Sequence, residues 1–143
     1  MTSEGRIRVK AVCVLRRDTD ILVSFAIDPD TGARYARLLG GGLEAGERAE
    51  DAVRREIREE IGADLRDVSR LGVVENIFRW RGEQFHEIIF VFTAAFTNRA
   101  LYEQKSFAVN EVVCDGPAEW VPLARVTSGD LPVYPPDLVA LLV

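Results

Sequence analysis

The sequence is short of the residues that build covalent or soft-metal scaffolds. It has two cysteines, Cys13 and Cys114, far apart among 143 residues and in no metal-ligand spacing. They read as free thiols of a reducing compartment, so neither a disulfide framework nor a zinc site is expected. His86 is the only histidine, and it reads as a strand residue with a structural hydrogen bond rather than a catalytic acid or base. Excess positive charge is also missing. The 23 acids against 18 bases give a net charge of −5, which argues against a basic face for nucleic acid or a membrane surface. Long apolar runs are absent too. The longest, at residues 88–96, is broken by Thr93 and is far too short to span a bilayer. Residues 1–6 are polar and hold no signal-peptide apolar core, so a cytoplasmic protein is expected. There are no internal repeats, low-complexity tracts or linkers.

What remains is an ordinary globular composition, 48% apolar and 29% charged. Its length suits one domain over residues 1–143. Residues 8–15 and 21–27 are rich in β-branched side chains and flank a polar turn, so they predict a hairpin. Residues 28–32 form a second turn, and residues 34–39 a short strand ending in Gly40-Gly41-Gly42. Residues 48–61 are helical in composition, with Gly62 as C-cap. Residues 68–79 and 87–96 read as two long strands, residues 98–115 as loop, and residues 119–123 as a short strand. Pro135-Pro136 opens a final helix over residues 137–142. Strands around one central helix, with a terminal helix, imply an α/β sandwich with a mixed sheet.

The chemistry lies in residues 40–63, GGGLEAGERAEDAVRREIREEIGA. Three glycines allow close approach of a ligand to the backbone. On the following helix, Glu60 falls about 40° to one side of Glu56, and Glu59 about 60° to the other. Ala52 and Val53 point into the same sector. The acids therefore lie on or beside the buried stripe rather than opposite it, where a solvated charge run would sit. Crowded carboxylates repel, and a hard divalent cation, Mg²⁺ or Mn²⁺, resolves the conflict.

This segment resembles the Nudix box, G-x5-E-x7-R-E-U-x-E-E-x-G-U, where U is a bulky aliphatic. Gly41, Glu47, Arg55, Glu56, Ile57, Glu59, Glu60 and Gly62 stand at the required positions, and Ala63 replaces the last aliphatic. Leu39 stands where many members have proline. The preceding hairpin and the late strand at residues 119–123 also look like the family, and residues 73–78 with His86-Glu87-Ile88 resemble a bacterial subgroup.

The resemblance implies an α/β/α Nudix sandwich and Mg²⁺-dependent water attack on phosphorus in a nucleoside diphosphate linked to another moiety. It implies Glu56, Glu59, Glu60 and the Gly40 carbonyl as metal ligands, with Arg55 orienting Glu47 or Glu56. Glu56, Glu59 and the loop acid Asp115 are all candidate general bases, and Asp115 a candidate metal ligand. Glu103 and Glu111 rival Asp115 in the same segment. Arg34 and Arg37 could reach phosphates or be solvated strand residues. Tyr134 and Asp137 lie where MutT-like members read the base. Tyr35, Phe78 and Trp80 could stack on a base, although packing is favoured for them, and Trp120 reads as core. The expected substrate is a small nucleotide, foremost a (deoxy)nucleoside triphosphate or an oxidised form of one. A nucleotide sugar or ADP-ribose is the alternative, and a non-catalytic nucleotide-sensing module is the alternative of another class. ADP-ribose enzymes often carry a proline beyond the box, and residues 78–80 hold none. Nothing in the sequence fixes an oligomeric state.

Overall fold

The computed structural model describes residues 5–143, so the polar start at residues 1–4 lies outside the described residues. Along the chain come β1 (Ile7–Arg17), β2 (Asp20–Ile27), β3 (Arg34–Arg37), β4 (Leu39–Gly42), α1 (Ala49–Ile61), β5 (Leu65–Trp80) and β6 (Glu83–Phe96). A 3₁₀ turn (Arg99–Glu103) precedes β7 (Ser106–Phe107), β8 (Ala118–Pro122), α2 (Leu123–Thr127) and α3 (Leu138–Leu142). Among the described residues no helix is long and apolar enough to cross a membrane.

Eight strands form a mixed sheet in the order β5-β6-β1-β2-β8-β7, with β4 on β1 and β3 on β2. β1 runs parallel to β6 and antiparallel to β4, and meets β2 only at the turn, through Arg16–Ile21 and Arg17–Asp20. The predicted hairpin is thus present but splayed, because each strand takes a different partner beyond the turn.

The alternation of side chains along the strands separates two cores. Ala11, Cys13, Leu15, Leu22, Leu39 and Phe92 pack with Ala52, Val53 and Ile57 of α1. Val12, Val14, Ile21, Val23, Ile89 and Val91 face the other way and pack with Val126, Leu138 and Leu142 of the C-terminal helices. The sheet is therefore covered on both faces, as an α/β/α sandwich requires. Burial pushes the Cys13 thiol up to about 12, in keeping with a neutral core residue. Cys13 and Cys114 are both free.

Several boundaries differ from the sequence reading. The triple glycine is a strand, with Gly40, Gly41 and Gly42 facing Val12, Ala11 and Lys10 of β1. Glycine has low strand propensity, but an aligned partner supplies the ladder. Leu123 opens α2 instead of ending a strand. The last helix begins at Leu138, after amides of Leu138 and Val139 bond to the carbonyls of Pro135 and Pro136. Trp120 is half-buried, and its Nε1 donates to the Gln104 carbonyl at 2.9 Å.

Candidate active site

α1 begins after Arg48, which offers no side-chain cap, and Glu50 and Asp51 in its first turn complement the helix dipole. It ends at Gly62, whose φ of 70° gives the left-handed cap, with the Gly62 amide donating to Arg58. The apolar stripe of Ala52, Val53 and Ile57 presses α1 onto β1 and β4. Residues in that sector are therefore carried against the glycine strand.

Glu60 goes deepest, at 5% exposure. Its Oε1 accepts a hydrogen bond from the Gly40 amide at 3.0 Å. Its carboxyl is pushed up to about 8, first by burial, then by the charge of Glu111, against the opposing pull of the Gly40 hydrogen bond. Glu56 lies against Gly41. A Cβ built on Gly41 would sit 2.5 Å from the Glu56 carboxylate carbon, and one built on Gly40 would sit 2.1 Å from the Ala11 carbonyl oxygen. Gly40 also has a φ of 148°. The glycines therefore permit both the approach of β1 and the seating of the carboxylates, which is the chain's own use of the bare backbone.

Arg55 organises the remaining acids. Its Nε and Nη2 donate to the two carboxylate oxygens of Glu47 at 2.8 and 2.9 Å, a bidentate pair. Its Nη1 donates to Glu56 at 3.0 Å and Glu59 at 3.2 Å, and its Nη2 also donates to the Gly42 carbonyl at 3.0 Å. The Glu47 hydrogen bond is the foremost cause holding the Arg55 proton more tightly than usual. The same bond, helped by the Glu44 amide, holds the Glu47 carboxyl down at about 2. Arg55 thus contacts both partners expected for it. Glu59 is the outermost of the three helix glutamates, its side chain 55% exposed against 17% for Glu56.

Among the described residues no three His, Cys, Asp or Glu side chains form a ready-made metal cage. Arg55 neutralises Glu56 and Glu59, and the Gly40 amide engages Glu60. The donor set nevertheless fits a hard divalent cation. It consists of carboxylate oxygens beside backbone carbonyls, with one carboxylate buried and short of positive charge.

The loop acids separate. The Asn110 amide donates to the Glu60 carbonyl at 2.8 Å, which sets Glu111 beside the last turn of α1. Asp115 lies instead over β3, where its Oδ2 accepts from Arg34 Nε at 2.9 Å. Glu103 lines a surface groove with Arg16, Arg17 and Tyr102. Arg37 pairs with Glu111 at 3.5 Å. Behind it, Tyr35 and Tyr134 form an edge-to-face pair with ring centroids 4.7 Å apart, and Asp137 precedes α3. Burial raises the Tyr35 hydroxyl, and the charge of Arg37 opposes it. Phe78 and Trp80 pack around Phe85 at the tip of the β5–β6 hairpin. His86 lies 3.5 Å from Glu75. The seating of Glu56 on Gly41 and the nearness of Glu111 to Glu60 depend on long-range packing, for which periodicity carries no signal.

Comparison with known proteins gives the same picture. Residues 6–141 match the NUDIX domain. The fold is similar to that of a MutT NUDIX hydrolase from Burkholderia pseudomallei, at 28% identity and a TM-score of 0.71, covering 95% of this chain and 96% of that one. It is also similar to a NUDIX hydrolase from Nitrosomonas europaea, at 19% identity and a TM-score of 0.67, covering 96% and 86%. A MutT protein from Bacillus halodurans aligns at 21% identity and a TM-score of 0.61, covering 94% and 79%. These last two bear on the fold alone. No curated protein sequence matches the chain. The glutamate helix seated on a glycine strand is thus the box of a known fold, and the chain belongs to the Nudix family, as a pyrophosphohydrolase acting on a nucleoside diphosphate linked to another moiety.

Proposed function

We propose that the chain is a Mg²⁺-dependent hydrolase of a (deoxy)nucleoside triphosphate, oxidised forms included. The observation that carries this reading is the convergence of Glu56 and Glu60 on the glycine strand, through the Gly41 seat and the Gly40 amide. Glu56, Glu59, Glu60 and the Gly40 carbonyl are the groups that would hold Mg²⁺, with Mn²⁺ as a substitute. When bound, such a cation supplies Lewis-acid polarisation of phosphoryl oxygens.

The chain's own residues do the rest. Arg55 orients Glu56 and Glu59 by charge-assisted hydrogen bonds. A carboxylate near the box accepts the proton of the attacking water. Glu56 and Glu59 remain candidates for that role. Glu111 joins them by its position beside Glu60, and Asp115 could reach the site only by leaving Arg34. Arg34 and Arg37 would bind the phosphate arm, and Tyr134 and Asp137 the base side.

The triphosphate reading draws support from the two arginines on β3, since a polyphosphate arm offers them several anionic oxygens. A substrate panel tests it. Purified protein with Mg²⁺ should cleave a nucleoside triphosphate with a higher kcat/KM than ADP-ribose or a nucleotide sugar. The reverse order would select the alternative substrates, and no cleavage of any would select a nucleotide-sensing role.

A further inference from the structure

The two β3 arginines already hold anions, and those anions belong to the chain. Arg34 Nε donates to Asp115 Oδ2 at 2.9 Å, its Nη2 donates to the Asp115 carbonyl at 3.3 Å, and Glu119 stands 4.0 Å away. The Arg34 guanidinium is also stacked on Phe25, 3.7 Å from the ring centroid. Arg37 pairs with Glu111 and donates to the Val113 carbonyl, while its Nε is buried without a hydrogen-bond partner. Both guanidiniums are thus fixed in place, with spare donor capacity on Arg37. Past Val109, which packs against the α1-side core, the segment they grip is lightly held. The amides of Asn110 and Asp115 bond to the carbonyls of Glu60 and Phe25, but Val112 is fully exposed and Val113 is exposed. The Arg34–Asp115 pair is solvent-exposed and the half-buried Arg37–Glu111 contact is long, at 3.5 Å, so both hold the segment weakly. A polyphosphate carries more charge and presents oxygens that match the guanidinium fork.

We propose that Arg34 and Arg37 form a polyphosphate subsite that Asp115 and Glu111 occupy in the free protein, so that a bound polyphosphate exchanges with these carboxylates and releases residues 110–115. The proposal rests on the nucleotide-hydrolase reading and deepens it. It names the polyphosphate arm as the recognised feature, and it makes Glu111 free to move only when substrate is present.

Hydrogen–deuterium exchange on the whole protein in metal-free buffer, with and without inorganic tripolyphosphate, is the test. Calorimetry of tripolyphosphate binding accompanies it. Saturating tripolyphosphate should speed exchange at residues 110–115. E111Q/D115N should bind tripolyphosphate about two- to tenfold more tightly, since two weak internal competitors are gone, and R34A/R37A should lose binding. Absence of binding, unchanged or slower exchange at saturation, or an unchanged Kd in E111Q/D115N overturns the proposal. Because neither metal nor nucleotide is used, a chain that hydrolyses no nucleotide but shows the exchange faults only the hydrolase reading. A competent hydrolase without the exchange faults only this subsite.

Discussion

The Gly40 amide donates to the Glu60 carboxylate at 3.0 Å, joining the start of the glycine strand to the last turn of α1. The bond places a buried carboxylate where an ordinary side chain at position 40 could not coexist with β1.

Glu60→Gln keeps an acceptor for the Gly40 amide and removes the ionisable carboxyl. Purified Glu60→Gln protein should fold with an unchanged or higher melting temperature, since the amide keeps the Gly40 hydrogen bond and never has to ionise in its buried place. Its kcat should fall by about 10²-fold or more, as for loss of a metal ligand or base. A folded Glu60→Gln enzyme with normal kcat would place the site elsewhere.

Gly40 and Gly41 should respond differently to alanine. At Gly40 the new Cβ meets backbone, 2.1 Å from the Ala11 oxygen and 2.6 Å from the Val12 Cα, at a φ of 148°. Gly40→Ala should therefore cost about 3 kcal/mol or more of stability. At Gly41 the Cβ meets the far end of Glu56, which can swing aside. Gly41→Ala should change stability by less than about 1 kcal/mol yet lower kcat by about tenfold or more, because the carboxylate proposed to hold the cation is displaced. Urea melts and initial rates on the two proteins check this. Equal losses of stability would show that the Glu56 seat is not there.

Glu47 sets a pH dependence. Its carboxyl lies at about 2 in the folded protein, chiefly through the Arg55 hydrogen bond, against an ordinary value of 4.5. A depressed folded value means that the unfolded chain binds the proton first. The stabilisation is thus fully present above 4.5 and fades as pH falls towards 2. Urea midpoints of wild type and Glu47→Gln should differ most above pH 5 and converge near pH 2. A gap that widens in acid would contradict the pairing.

The loop acids can be ranked by three single variants. Glu111→Gln should lower kcat more than Asp115→Asn, given its place beside Glu60, and Glu103→Gln should leave kcat unchanged. Asp115→Asn should act mainly on KM, through Arg34. If Asp115→Asn alone abolished kcat, the acid would have to leave Arg34 to reach the box.

How far these relationships can be read in advance depends on their range in sequence. α1, its Gly62 cap and the shared sector of Glu56, Glu59 and Glu60 follow from helical geometry over neighbouring residues, and the box spacing makes them specific. Arg55 and Glu47 are eight residues apart, and the same pattern links them. Arg34 and Asp115 are 81 residues apart, and no local rule joins them. The pairing of Gly40–Gly42 with β1 was hidden for a related reason. Glycine reads as turn, and only the partner strand makes it a strand. The exposed loop acids look alike in sequence, so their ranking required the fold.

We propose that the box cleaves a phosphoanhydride only with a divalent cation bound. Turnover of a nucleoside triphosphate by the purified protein, measured in Mg²⁺ and again in excess chelator, is the decisive measurement. Cleavage in Mg²⁺, its loss in chelator and its return on adding Mg²⁺ or Mn²⁺ is the predicted result. Full turnover in excess chelator would show that the box works without a cation.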